Sequence, residues 1–248
     1  MLRALLWDVD GTLAETERDG HRVAFNLAFE ARGCAWHWDE PRYGELLRVA
    51  GGRERLLHDM AHRPDAPHDA AGREALALEL HALKNRYYAE RVAAGAVALR
   101  PGVAELMEDA RAAGLTMAIV TTTSRCNVQA LLDATLGSDG WRRFATVVAA
   151  EDAPRKKPDP QAYTLALARL GLAPSETLAL EDSPAGLAAA RAAGVPVVLT
   201  RSRYFADCPG EASVAAGPGL DSCQGWTPPA TAAGRIGLAQ LLSWTSAA

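Results

Sequence analysis

Several things are scarce in this 248-residue chain. Cysteine occurs four times, at Cys34, Cys126, Cys208 and Cys223. No two of these form a C-x-x-C pair, which argues against a zinc site or a disulfide framework. Basic residues are not in excess: 26 Lys and Arg face 30 Asp and Glu, for a net charge of −4. A broad positive field is therefore lacking, and a nucleic-acid partner is not expected. No apolar run approaches the ~20 residues needed to span a bilayer. The apolar start, Met1–Trp7, is broken by Asp8 and Asp10 and is too short for a secretory core. A soluble protein of a reducing cytoplasm is the expectation.

What the chain does have is a rhythm of short apolar runs and helical patterns. The runs Leu2–Asp8, Thr116–Thr122, Ala145–Ala149, Thr177–Leu180 and Val195–Thr200 show no polar alternation. Such runs fit strands covered on both faces. Val103–Ala113 stops at Gly114, and a helix opened by Ser183 and Pro184 stops at Gly194. Strands alternating with helices predict an α/β fold with a Rossmann-like parallel sheet.

Residues 15–94 break that rhythm. They hold long helical patterns, such as Gly72–Ala94, and no convincing strand. We expect an all-helical cap domain over 15–94, inserted into a core formed by 1–14 and 95–248. Pro64 and Pro67 mark a loop, and the Gly-, Pro- and Ser-rich tail Cys208–Gly234 reads as irregular.

The chemistry-bearing residues follow the strands. Asp8-Val9-Asp10-Gly11-Thr12-Leu13 ends the first run. Residues two apart on extended backbone point the same way, so the two carboxylates are placed together where parallel sheets bind ligands. Taken singly, this is also an Asp-rich turn. Thr121-Thr122-Thr123-Ser124 follows the second run and offers hydroxyls and N–H groups at a helix start, or simply a cap. Arg155-Lys156-Lys157-Pro158 follows the third: a phosphate lysine, or a solvated loop. Glu181-Asp182-Ser183 follows the fourth, where two acids at a sheet edge are costly to leave idle. Acids, hydroxyls, lysine and acids thus arrive in order at successive strand ends. Hard carboxylate oxygens suit magnesium, and the lysine and hydroxyls suit phosphoryl oxygens.

This order resembles the four motifs of the haloacid dehalogenase (HAD) superfamily, along most of the chain. The resemblance implies Asp8 as nucleophile and Asp10 as general acid and base. It implies phosphate contacts from Thr122, flanked by Thr121 and Thr123, and from Lys157, with Lys156 as the other choice. It implies Mg2+ held by Asp8, the Asp10 carbonyl and Asp182, with Glu181 as an outer partner. Within the superfamily, Ala14–Glu17, Arg22–Asn26, Trp36–Asp39 and Gly51–Arg55 are similar to the CbbY group. That group resembles xylulose-1,5-bisphosphate phosphatases of carbon fixation, which implies a small-molecule sugar phosphate and contacts from Glu17, Gly51, Gly52, Arg53 and Arg55. A sugar phosphomutase, which shares core and cap, is the alternative. One departure stands out: the Glu15–His21 stretch is one residue longer than the common form. From the residues themselves, two glycines free the backbone at Gly51-Gly52 and two arginines can fork onto phosphate, or start a helix with surface arginines. His21 reads as a packed or surface histidine, and Trp36, Trp38 and Tyr43 read as cap core.

Overall fold

A computed structural model describes residues 1–231 and 233–247. Among these residues six strands form one parallel sheet: β1 (Ala4–Trp7), β2 (Thr116–Val120), β3 (Thr146–Val148), β4 (Thr177–Glu181), β5 (Val197–Thr200) and β6 (Ala215–Gly217), in the order β3-β2-β1-β4-β5-β6. Among the described residues nine α-helices accompany them: α1 (Arg22–Ala31), α2 (Glu40–Leu46), α3 (Gly52–Met60), α4 (Ala70–Ala93), α5 (Val103–Ala112), α6 (Arg125–Leu136), α7 (Gln161–Leu170), α8 (Pro184–Ala192) and α9 (Leu238–Ala247).

The apolar runs are continuous because each face of the sheet has its own core. Leu5, Trp7, Met117, Ile119, Leu178, Leu180 and Val198 pack on α5, α6 and α9. Their neighbours Leu6, Ala118, Val120, Ala179, Val197 and Leu199 pack on α7 and α8. Strand side chains alternate between faces, so apolar residues at every position mean two covered faces. β1, β2, β3 and β5 are shorter than their apolar runs by a residue or two at an end, whereas β4 runs one residue past its run to Glu181. At the carboxyl ends the chain leaves the ladder to form the loops described below.

The tail departs from expectation. Within Cys208–Gly234, Ala215–Gly217 adds the edge strand β6 to β5, pairing Val198 with Ala215. Val214 N donates to Val197 O at 2.8 Å and Arg201 N to Gly217 O at 2.9 Å, so neighbouring backbone bonds define the strand although its Ala-Ala-Gly sequence has low strand preference. Trp226 stacks on Trp244 of α9 at 4.8 Å and ties the tail to the sheet.

Between β1 and β2 the chain is helical among its described residues. Phe25, Phe29, Trp36, Trp38, Tyr43, Leu46, Leu56, Met60 and Leu80 build a third apolar cluster there, which includes the three aromatic residues expected in a core. Asp69 caps α4 by accepting from Gly72 N at 2.7 Å, so this helix starts two residues earlier than its pattern suggests. No helix among the described residues is long and apolar enough to cross a membrane.

Candidate functional site

The carboxyl ends of β1, β2 and β4 converge on Lys157. Its buried ammonium donates to Asp8 Oδ1 at 2.6 Å, to Glu181 Oε1 at 2.6 Å and to the Val120 carbonyl at 2.9 Å. Tyr163 donates to the same Glu181 oxygen at 2.5 Å. Three strands and the loop after β3 thus deliver one ammonium and two carboxylates to one buried point. Asp182 completes the acid cluster: Asp8, Glu181 and Asp182 each offer an oxygen within 4.8 Å of the others.

Burial dominates the electrostatics here. It pushes the Asp8 carboxyl up to about 7, against the pull of Lys157. It pushes Asp182 well above the usual carboxylate range, with Asp8's charge adding to the effect. Burial lowers Lys157, but the charges of Asp8 and Glu181 outweigh it and the ammonium titrates above its ordinary value. The second carboxylate oxygen of Glu181, Oε2, is buried and finds no hydrogen-bond partner among the described residues. An orphaned oxygen and two carboxyls driven towards neutrality are what a hard divalent cation would relieve. The all-oxygen donor set fits such an ion.

Gly11 lets the loop after β1 pass against Asp182. Its φ is +88°, and a Cβ there would lie 2.1 Å from Asp182 Oδ2. Asp10, two residues from Asp8, takes a different environment. Its Oδ1 accepts from Thr16 Oγ1 at 2.5 Å and lies 2.9 Å from His21 Nε2. Burial alone would raise this carboxyl, but the charge and hydrogen bond of His21, with the bond from Thr16, hold it down at about 2.

Glu17–His21 is a π-helical turn that leads directly into α1. A π-turn accommodates one residue more than an α-turn without breaking the helix. Glu17 at one end and His21 at the other both face the cleft. Gly20 is needed at the crossing, since a Cβ would lie 2.9 Å from Tyr88. His21 is packed, as its pattern suggests, stacking on Tyr88 at 4.1 Å, but it is also a partner of Asp10.

A cleft of about 420 Å³ opens above Asp10, between the helices of 15–94 and the ends of β2 and β3. The predicted residues Glu17, Gly51, Gly52, Arg53, Arg55, Thr122 and Thr123 all line it. They are not equivalent. Arg55 is 7% exposed and donates to the Tyr43 hydroxyl at 2.8 Å and the Leu46 carbonyl at 3.2 Å. Tyr43 in turn donates to Glu17 at 2.5 Å. Arg55 therefore braces Glu17 through Tyr43. Arg53 is 43% exposed, and its nearest acid, Glu74, is 3.9 Å away. Of the threonines, Thr121 is buried at the end of β2 and its hydroxyl accepts from Thr123 N at 3.2 Å, while Thr122 and Thr123 reach the cleft.

The family profile of haloacid dehalogenase-like hydrolases matches residues 2–194. Protein CbbY, plasmid, of Cupriavidus necator is 50% identical over 208 residues, 83% of this chain and 80% of that protein. The crystal structure of CbbY from Rhodobacter sphaeroides in complex with phosphate superposes with a TM-score of 0.80 at 39% identity, covering 86% of this chain and 92% of that one. A mutant of the same protein in complex with xylulose-(1,5)bisphosphate gives a TM-score of 0.80 at 38% identity, with the same coverage. The chain belongs to the haloacid dehalogenase-like hydrolases, in the CbbY group.

Among the cleft residues of this CbbY-group hydrolase that escape sequence reasoning are His81 and Lys84. Lys84 carries a legible signal. On α4 the buried positions are Ala77, Leu80, Lys84, Tyr88 and Val92, one helical stripe interrupted by a lysine. Burial lowers this lysine to about 8, opposed by Asp10 and Glu17. Burial, and then Lys84, His21, Arg53 and Arg55 nearby, push His81 down to about 4, so it faces the cleft as a neutral imidazole.

Proposed function

We propose that this phosphatase removes phosphate from a small sugar phosphate, xylulose 1,5-bisphosphate by preference, through a phospho-aspartate on Asp8 with the help of magnesium. The observation that carries the reading is the meeting of Asp8, Glu181 and Asp182 with the Lys157 ammonium, 2.6 Å from two of them. A nucleophilic carboxylate, a cation site and a fixed positive charge stand within one buried cluster beside a cleft large enough for a sugar phosphate.

Asp8 supplies the attacking oxygen and Lys157 offsets charge on the phosphoryl group. Asp8, the Asp10 backbone carbonyl and Asp182 hold Mg2+, with Glu181 behind them; when bound, the ion offsets the repulsion between carboxylate and phosphate. In the first half-reaction the bond from phosphorus to the sugar oxygen breaks, and Asp10 gives that oxygen a proton. In the second, water attacks phosphorus, Asp10 takes the proton from that water, and Asp8 leaves as a carboxylate. Held at about 2 by His21 and Thr16, Asp10 is ionised as it stands, the state required for the second half. To act as the acid it must leave His21 for the substrate and take up a proton.

Residues 15–94 serve as a cap on the core of 1–14 and 95–248 and set specificity. Thr122 and Thr123 contact phosphate from the core side. Glu17, Gly51, Gly52 and Arg53 meet the sugar and its second phosphate, and Arg55 holds Glu17 in place. The bound sugar bisphosphate of the Rhodobacter sphaeroides relative supports the substrate class. A phosphate-release screen over sugar mono- and bisphosphates with magnesium tests the reading. Preferential release from xylulose 1,5-bisphosphate is expected, and release from monophosphates only would reject that substrate.

A further inference from the structure

Arg100 stands where the chain returns from the helical segment to the sheet. Leu99 bridges Ala14, and Arg100 N donates to Leu13 O at 2.8 Å, so both linkers of the segment run side by side. The Arg100 side chain is only 10% exposed, yet its nearest acid, Glu15, is 3.7 Å away. Its donors go instead to backbone carbonyls. One terminal nitrogen donates to the Gly11 carbonyl and to the Thr200 carbonyl at 2.9 Å, and lies 3.4 Å from Thr200 Oγ1. The other donates to the Arg201 and Pro218 carbonyls, both at 2.8 Å.

These carbonyls come from three segments, two of which lie against Asp182. Gly11 follows Asp10 and packs on Asp182. Thr200 ends β5 and leads through Arg201 into Ser202, which lies against Gly11 beside Asp182. Pro218 follows β6. A planar guanidinium can hold carbonyls on several sides at once, and an ammonium of similar length cannot. Without it the loop carrying Asp8 and Asp10 would be tied to the end of β5 by far fewer bonds.

We infer that Arg100 is a positioning residue for the cation site: by fixing the Gly11 carbonyl against the end of β5, it sets the spacing at which Asp8 and Asp182 share one ion. This rests on the reading that these carboxylates hold a divalent cation. Partners that orient ligands from behind alter metal affinity by about 10- to 100-fold when replaced.

The test is calorimetric titration of the metal-free full chain with Mg2+ and with Mn2+, using wild type, Arg100→Lys, Arg100→Gly and the control Glu15→Gln. Arg100→Lys should weaken metal binding by about tenfold or more, and Glu15→Gln should leave it near wild type. Guanidinium at a low, non-denaturing concentration should restore binding to Arg100→Gly. In steady-state assays at saturating metal, Arg100→Lys should lower kcat with KM for an aryl phosphate little changed. Wild-type metal affinity in folded Arg100→Lys would overturn the inference and leave the cation site standing. Weak binding by Arg100→Gly that guanidinium does not restore, with a lowered melting temperature, would also overturn it, reducing Arg100 to a fold staple. Absence of binding by wild type would instead remove the cation reading beneath it.

Discussion

Nε2 of His21 lies 2.9 Å from Oδ1 of Asp10, at the end of the π-turn Glu17–His21. His21→Ala would leave Asp10 buried with Thr16 as its remaining close donor, and burial then raises the carboxyl. The acid limb of the kcat profile should move to higher pH, and kcat near neutrality should fall by about tenfold or more, within the range of general acid–base catalysis. An unmoved acid limb would detach His21 from Asp10's protonation.

Lys157 is the second pivot. Replacing it with Met leaves Asp8 and Glu181 buried without their shared cation. Breaking a buried pair in this way costs about 3–5 kcal/mol. Urea unfolding of metal-free Lys157→Met should show a loss of that order. Saturating magnesium should return part of it, because the ion neutralises the same carboxylates.

The metal-free site should also be pH-sensitive. Folded Asp8 keeps its proton up to about 7, whereas an unfolded aspartate loses it near its ordinary value of 3.8. The folded state therefore binds more protons between these values, so this group's contribution makes the metal-free protein less stable as pH rises through that window. Metal binding displaces the proton, so affinity for Mg2+ should increase with pH up to about 7. Calorimetry in buffers of different ionisation enthalpy should detect proton release on Mg2+ binding near pH 6.

Much of this was legible in the sequence, for a physical reason. DVDGTL and LEDSPAG put their polar residues directly after an apolar run, and KKPDP lies in the loop that follows one, so the strand ends announce the site. β6 was not legible: Ala215–Gly217 has no apolar pattern and is defined by its neighbour β5. Arg100 gave no signal either, because its partners are backbone carbonyls from distant segments. His21 was misleading in a different way, since a histidine that packs on Tyr88 and one that serves Asp10 have the same local pattern.

The two cleft arginines should now separate. Arg53→Ala removes an exposed charge, and the loss of a charge-assisted contact should cost about 1.5–3 kcal/mol. That is roughly a ten- to hundredfold drop in kcat/KM on xylulose 1,5-bisphosphate, with little change on an aryl phosphate that lacks a distal group. Arg55→Ala breaks the brace to Tyr43 and Glu17 and should lower stability and activity on both substrates. Steady-state kinetics with thermal melts would distinguish them, and equal behaviour of the two variants would contradict the division.

The role of Asp8 as nucleophile of a magnesium-dependent phosphatase comes down to one comparison: phosphate release from xylulose 1,5-bisphosphate with magnesium, by wild type and by Asp8→Asn, alongside circular dichroism of both. Steady release by wild type that a chelator abolishes is expected, and none above background from a folded Asp8→Asn protein. Substantial release by folded Asp8→Asn, or full wild-type turnover after exhaustive metal removal, would rule that role out.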